Sequence, residues 1–166
     1  VAATTSESLL SSDTVAIRNA IDAVAIGTQG TQQTNITDAV ARSIDELSSS
    51  RKRDGVPSVI VLLTDGVATV PEKQGEQDYP EASALILGQL AKERGFRIFT
   101  IGLGKSINEI FLQNLASSPD DFYLAPTAKE LTAIYTQIAT KICQKKPAVI
   151  EIIPRIFPRP ITFGTF

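Results

Sequence analysis

Ser58-Val-Ile-Val-Leu-Leu-Thr64, closed by Asp65-Gly66, is the stretch that decides the fold. It is apolar and rich in β-branched residues with no polar alternation, so both faces of its pleat require cover. That is the signature of a central strand in a parallel sheet with helices on both sides. Asp65-Gly66 reads as the turn that ends it. Phe96-Arg-Ile-Phe-Thr-Ile-Gly102 repeats the buried-strand pattern, and Asp121-Phe-Tyr-Leu124 reads as a brief third strand.

Helical patterns surround these runs. Ser12 or Asp13 can cap a helix over about 13 to 26, whose apolar positions are Val15, Ile17, Ala20, Ile21 and Val24. A polar loop from Gly27 to Gln33 follows. Thr37 then precedes a second helix through Ala39, Val40, Ile44 and Leu47, which fades in Ser48 to Ser50. Residues 67 to 80 are polar and read as a loop, after which Pro80-Glu81 open a helix that stops at Gly95. A short helix fits Ile107 to Ser117, and a last one Ala128 to Cys143. Helices alternating with short apolar strands predict an α/β fold, an open, doubly wound, mostly parallel sheet with helices on both faces. This domain fills residues 1–143. In 144–166, Pro147, Pro154, Pro158 and Pro160 exclude a helix and indicate a proline-rich extended arm or edge strand.

Composition narrows the function. At 166 residues the chain suits one domain with a real core. Sixteen basic and eighteen acidic residues leave a net charge of −2, which disfavours nucleic acid and anionic membrane surfaces as partners. No apolar run reaches the ~20 residues of a membrane helix, and the first residues lack the layout of a signal peptide. With no His and the single cysteine Cys143, neither an internal disulfide framework nor a zinc site of the usual ligands is available. The absence of His, of a Cys–base pair and of an evident carboxylate dyad argues against an enzyme. A start at Val1 and the lack of Met and Trp suggest a processed or excised piece of a longer chain.

Several signals have a plain reading beside a functional one. Gly102-Leu-Gly104-Lys105-Ser106 has the place of a phosphate loop, but Phe99 stands where the first Walker glycine belongs, so it reads as a strand-to-helix turn with Ser106 as cap. Arg51-Lys52-Arg53 reads as a solvated loop, and Asp120-Asp121 as a cap or turn rather than a Ca²⁺ site. Thr34 can cap a helix, with Thr37 as competitor. Cys143 can be a small buried residue, a free thiol or half of a bridge.

Two segments, Thr34-Asn35-Ile36-Thr37-Asp38-Ala39-Val40 and Val59-Ile-Val-Leu-Leu-Thr64-Asp65-Gly66, carry a specific likeness. They resemble the second and third elements of the metal-ion-dependent adhesion site of von Willebrand factor type A domains. Arg97-Ile-Phe-Thr-Ile-Gly-Leu-Gly104, the helix end Leu115-Ala-Ser-Ser118, and Phe122-Tyr-Leu-Ala-Pro126 followed by Leu131, Ile134 and Tyr135 resemble the family's late strands and last helix. The resemblance implies Thr34 and Asp65 as metal ligands and Mg²⁺, or Mn²⁺ or Ca²⁺, as cofactor. Hard ions of this kind take oxygen donors and keep waters, and a partner's carboxylate can displace one.

The family's first element, Asp-x-Ser-x-Ser, does not occur in this sequence. Alignment on the Thr-Asn element puts Val1 near the end of the family's third strand. The resemblance therefore implies a domain incomplete at its N-terminus, completed by a missing segment or another chain, with a site in which metal can be absent. It also implies a partner for Cys143 in that segment, as a disulfide in an oxidising setting. The functional expectation is an extracellular or cell-surface adhesion module with a protein ligand or neighbouring subunit as partner. The alternative is a structural assembly subunit with a vestigial metal site.

Overall fold

The structure, a computed structural model, describes residues 10–23 and 33–143. In chain order they form α1 (Thr14–Asp22), α2 (Ile36–Leu47), β1 (Val59–Thr64), α3 (Tyr79–Glu93), β2 (Arg97–Leu103), α4 (Glu109–Leu115), a 3-10 turn (Pro119–Asp121), β3 (Phe122–Ala125) and α5 (Leu131–Cys143). The strands lie in the order β1-β2-β3 and all run parallel. Val59 pairs with Arg97 and Thr64 with Gly102, while Thr100 pairs with Phe122. Parallel neighbours need crossovers, and α3 and α4 supply them.

Both faces of β2 are sealed. Ile98 packs with Ile60 against Ile36, Val40 and Ile44 of α2, Ala84 and Ala91 of α3, and Phe111, Leu112 and Leu115 of α4. Phe99 and Ile101 point the other way, into Ala125, Ile134 and Ile138 beneath α5. Ile98, Phe99, Thr100 and Ile101 are each 0% exposed, as a doubly covered strand demands. The buried Thr100 hydroxyl is satisfied by donating to the Leu112 carbonyl at 2.9 Å. The α/β fold with helices on both faces is thus as the sequence pattern predicts.

β1 departs from expectation. Its sequence reads as central, yet among the described residues it pairs only with β2 and ends the sheet. Ile60 is buried under the helical layer, but Val61 and Leu63, on the opposite face, are 39% and 40% exposed because α5 covers β2 and β3.

Local chemistry sets the element ends. Asp13, one of two candidates, caps α1 by accepting from the amides of Val15 (2.9 Å) and Ala16 (3.1 Å). This helix ends at Asp22, and residues 24–26 of the anticipated span lie outside the described residues, as does the arm 144–166. Pro80 sits in the first turn of α3, and Gly95, with φ +79°, ends it in the left-handed conformation. Cys143 is exposed and without a partner among the described residues, which removes the reading of a buried apolar residue.

One ion-pair network lies at the start of β2. Asp121, 1% exposed, accepts from the Arg97 guanidinium through both carboxylate oxygens, at 2.7 and 3.0 Å, with Lys141 Nζ 3.6 Å away. Burial pushes the Asp121 carboxyl up. Hydrogen bonds from Arg97 and Ser118 and the charges of Arg97 and Lys141 outweigh burial and hold it below its ordinary value. The expectation that Asp121 serves a turn holds for its backbone, while its side chain has this second role.

Two outcomes follow from this packing. Asp121 has a lower pKa folded than unfolded, so its contribution is complete above the unfolded value, about 3.9, and is lost as pH falls towards the folded one. Urea melts of Asp121→Asn should show a loss of about 2 kcal/mol at pH 7 and a shallower decline between pH 5 and 2 than the parent. At Gly88, an added Cβ would lie 2.4 Å from Leu115 Cδ1, so Gly88→Ala must displace α3 from α4 or force Leu115 to another rotamer. It should cost about 1–3 kcal/mol in the same melts.

Candidate metal centre at the carboxyl rim of the sheet

Parallel strands deliver their carboxyl ends to one side of the sheet, where open α/β folds place ligand sites. Here that rim is fastened by side chains from three helices. The Thr37 hydroxyl of α2 lies 2.7 Å from Ser83 Oγ and donates to the Pro80 carbonyl at 3.2 Å, tying α2 to the start of α3. Asn108 donates from Nδ2 to Glu81 Oε2 at 2.8 Å, tying α3 to α4. Burial raises the Glu81 carboxyl above its ordinary value; the Asn108 bond draws it back, and nearby Asp78 adds to the rise.

The Thr-Asn segment enters this rim with its roles divided. Asn35 caps α2, its Oδ1 accepting from the Asp38 amide at 3.0 Å. Neither Thr34 nor Thr37 is the cap, which corrects both candidates. An Asn side chain reaches the orphan amide three residues on as readily as Thr does, and is at least as good a cap. Thr34 is thereby left for another task. Its N–H donates to Thr69 Oγ1 at 2.8 Å, and its carbonyl accepts from the amides of Thr69 (2.9 Å) and Val70 (3.3 Å). Its Oγ1 lies 3.7 Å from where a Cβ on Gly66 would stand.

Asp65 occupies the turn at the end of β1. Buried Thr64 folds this turn, its Oγ1 donating to the Gly66 carbonyl at 2.9 Å and accepting from the Gly66 amide at 3.3 Å. The Asp65 side chain is left exposed and makes no ion pair among the described residues. Thr34 therefore stands beside Gly66, the immediate neighbour of Asp65. The set offers one carboxylate and one hydroxyl, and among the described residues no group of three or more acidic, Cys or His side chains converges to hold a metal. Such a donor pair fits a hard divalent ion that retains most of its waters. Thr69, which helps build this frame, carried no signal in the sequence beyond lying in a polar loop, whereas Thr64 belongs to the Thr-Asp-Gly strand end.

The remaining candidates lie apart or serve packing. Arg51 pairs with Glu46 at 2.6 Å, drawing that carboxyl down to about 2, and Lys52 lies 5.8 Å from the Phe96 ring centroid. With Arg53 they line a cleft shared with Ser58 and Val59, at the end of β1 opposite Asp65. Gly102 admits no side chain because Ile107 Cδ1 stands 2.2 Å from its notional Cβ, so this glycine serves packing. The cap of α4 is Asn108, accepting from the Phe111 amide at 3.1 Å, and not Ser106. A cleft of about 600 Å³ opens beside the rim, lined by Ala68, Thr69, Glu72, Lys73, Glu76 and Pro80 among others.

Comparison with known proteins agrees with this fold. The bovine inter-alpha-trypsin inhibitor heavy chain H3 is 36% identical over 87 residues, covering 50% of this chain and 9% of that protein. The human heavy chain H4 is 31% identical over 96 residues, 55% of this chain and 10% of that one. This chain thus spans about a tenth of the length of the curated relatives it matches. Among solved structures, proximal thread matrix protein 1 from the mussel byssus superposes with a TM-score of 0.60 at 27% identity, over 78% of this chain and 29% of its own. A second structure of that protein, with a zinc-occupied metal-ion-dependent adhesion site, gives 0.58 at 28% identity, again over 78% and 29%. The profile of the von Willebrand factor type A domain matches residues 3–137, most of the chain and both rim segments. With its parallel sheet, its Thr-Asn loop and its strand ending in Thr-Asp-Gly, the chain belongs to the von Willebrand factor type A domain family.

Proposed function

We propose that this domain is a non-enzymatic adhesion or protein-binding module in which Thr34 and Asp65 hold a divalent cation. Mg²⁺ is the favoured ion, with Mn²⁺ or Ca²⁺ as substitutes, and the ligand is a carboxylate on a protein partner. The observation that carries this reading is the approach of Thr34 to Gly66, which sets a hydroxyl beside the residue that follows Asp65, whose exposed carboxylate makes no ion pair among the described residues. When bound, the cation supplies an electrophilic centre whose open position accepts a partner's oxygen. The chain's own residues orient the donors. Thr64 folds the turn that presents Asp65, Asn35 takes over the capping that would otherwise occupy Thr34, and Thr69 and Val70 fix the Thr34 backbone.

The zinc-occupied adhesion site of the mussel byssus protein supports a metal site in a domain of this fold. That protein and the inter-alpha-trypsin inhibitor heavy chains also support an extracellular or cell-surface setting. We assign the partner as a protein ligand or a neighbouring subunit. No helix of the described residues is long and apolar enough to cross a membrane.

A second reading, as a structural assembly subunit with a vestigial site, is favoured by one observation. The sequence contains no Asp-x-Ser-x-Ser to complete the donor set.

A thermal titration separates the two. With Mn²⁺ at ten times its Kd, binding should stabilise the domain by about 1.4 kcal/mol, a rise of a few degrees in Tm. Asp65→Ala should abolish the rise while leaving the metal-free Tm within a degree, since the side chain is exposed. A parent protein whose Tm does not respond at ten millimolar metal would favour the assembly reading.

A further inference from the structure

We propose that Thr69 is a positioning residue for Thr34, acting through the backbone to hold the Thr34 hydroxyl against the turn that carries Asp65. The ligand role of this inference rests on the metal reading above; the contact itself does not. Thirty-five residues separate Thr34 from Thr69, and between them stand α2 and β1. Nothing local places the Thr-Asn loop at the end of β1, so a tertiary contact must do so.

Among the described residues, the polar contacts that bind Thr34 to the segment after β1 all come from positions 69 and 70. Thr69 grips Thr34 twice, accepting the Thr34 N–H on Oγ1 at 2.8 Å and donating its own N–H to the Thr34 carbonyl at 2.9 Å. Val70 N–H adds a longer bond to the same carbonyl, at 3.3 Å. Two of the three contacts are backbone to backbone and persist whatever side chain occupies position 69. The remaining one, from the Thr34 N–H, depends on a hydroxyl at 69.

This division has a mechanical result. With the carbonyl alone restrained, only the peptide plane after Thr34 is held; the one before it can turn, and Oγ1, carried on the Cα between them, moves with it. With the N–H restrained as well, the peptide planes on both sides of the Thr34 Cα are held, and Oγ1 stays 3.7 Å from the notional Cβ position of Gly66. Fixing a donor before the ion arrives removes ordering cost from binding, so the Thr69 hydroxyl contributes affinity without touching the metal. Thr69 also lines the 600 Å³ cleft with Glu72, Lys73 and Glu76. A ligand seated in that cleft therefore meets the residue that sets the Thr34 geometry.

The test uses the whole chain, ¹⁵N-labelled, with Thr69→Val and Thr69→Ser. Without metal, the Thr34 amide should exchange with solvent about fivefold faster in Thr69→Val, in keeping with one hydrogen bond of ordinary strength, and at the parent rate in Thr69→Ser. With Mn²⁺ as probe, paramagnetic broadening of the Thr34 and Gly66 amides should need about fivefold more metal in Thr69→Val. Thr69→Ser should restore the parent midpoint and the parent Tm, while Thr69→Val, short of one hydrogen bond, should melt a few degrees lower. Unchanged Thr34 exchange in Thr69→Val overturns the inference. So does a parent midpoint in that variant, and the metal reading then stands without it. If the parent shows no broadening at these amides, the metal reading fails, and the exchange rates still decide whether Thr69 holds Thr34.

Discussion

The burial of both faces of β2 is the constraint on which the rest depends. Ile98 requires a helical layer on one side and Phe99 and Ile101 require another, and the covering helices are the same segments that connect the strands. A strand covered on both faces and joined through helices runs parallel to its neighbours. Parallel strands in turn bring every carboxyl end to one rim. The place of Asp65 at that rim is thus a geometric result of the core, and the loops need only be fastened where the strands already deliver them.

That fastening is done by polar side chains of modest individual strength. Thr37 with Ser83, Asn108 with Glu81, and Thr69 with Thr34 each join a different pair of segments around the rim. The opposite end of β2 is held by charge, with Arg97 gripping a buried Asp121 near Lys141. The two ends differ in kind. One pairs its charges internally, whereas the other leaves the Asp65 carboxylate unpaired among the described residues and open to a cation.

The fold was legible because its signals are local and periodic. The runs 58–64 and 96–102 have no polar alternation, and α3 between them starts and stops within a residue or two of where Pro80 and Gly95 put it. The family's motifs single out Thr34 and Asp65 in the sequence, and the structure places Asp65 directly after β1, where the pattern puts the strand end. What the sequence concealed depends on contacts distant along the chain. Asn35, not Thr34 or Thr37, caps α2, a choice among three adequate residues that tertiary packing makes by drawing Thr37 to Ser83 and Thr34 to Thr69. The pairing of Arg97 with Asp121 spans 24 residues and leaves no spacing signal. β1 reads as central because its side chains suit burial on both sides, a property of its composition that neighbouring described strands do not fully satisfy.

The central claim is that Thr34 and Asp65 share one cation. Anomalous diffraction from crystals soaked in Mn²⁺ tests it without reference to stability or partner. The account predicts a peak about 2.1 Å from both Thr34 Oγ1 and an Asp65 carboxylate oxygen, with water completing the shell. A peak confined to the loop carboxylates Glu72 and Glu76, with Thr34 and Asp65 uncoordinated, would contradict it.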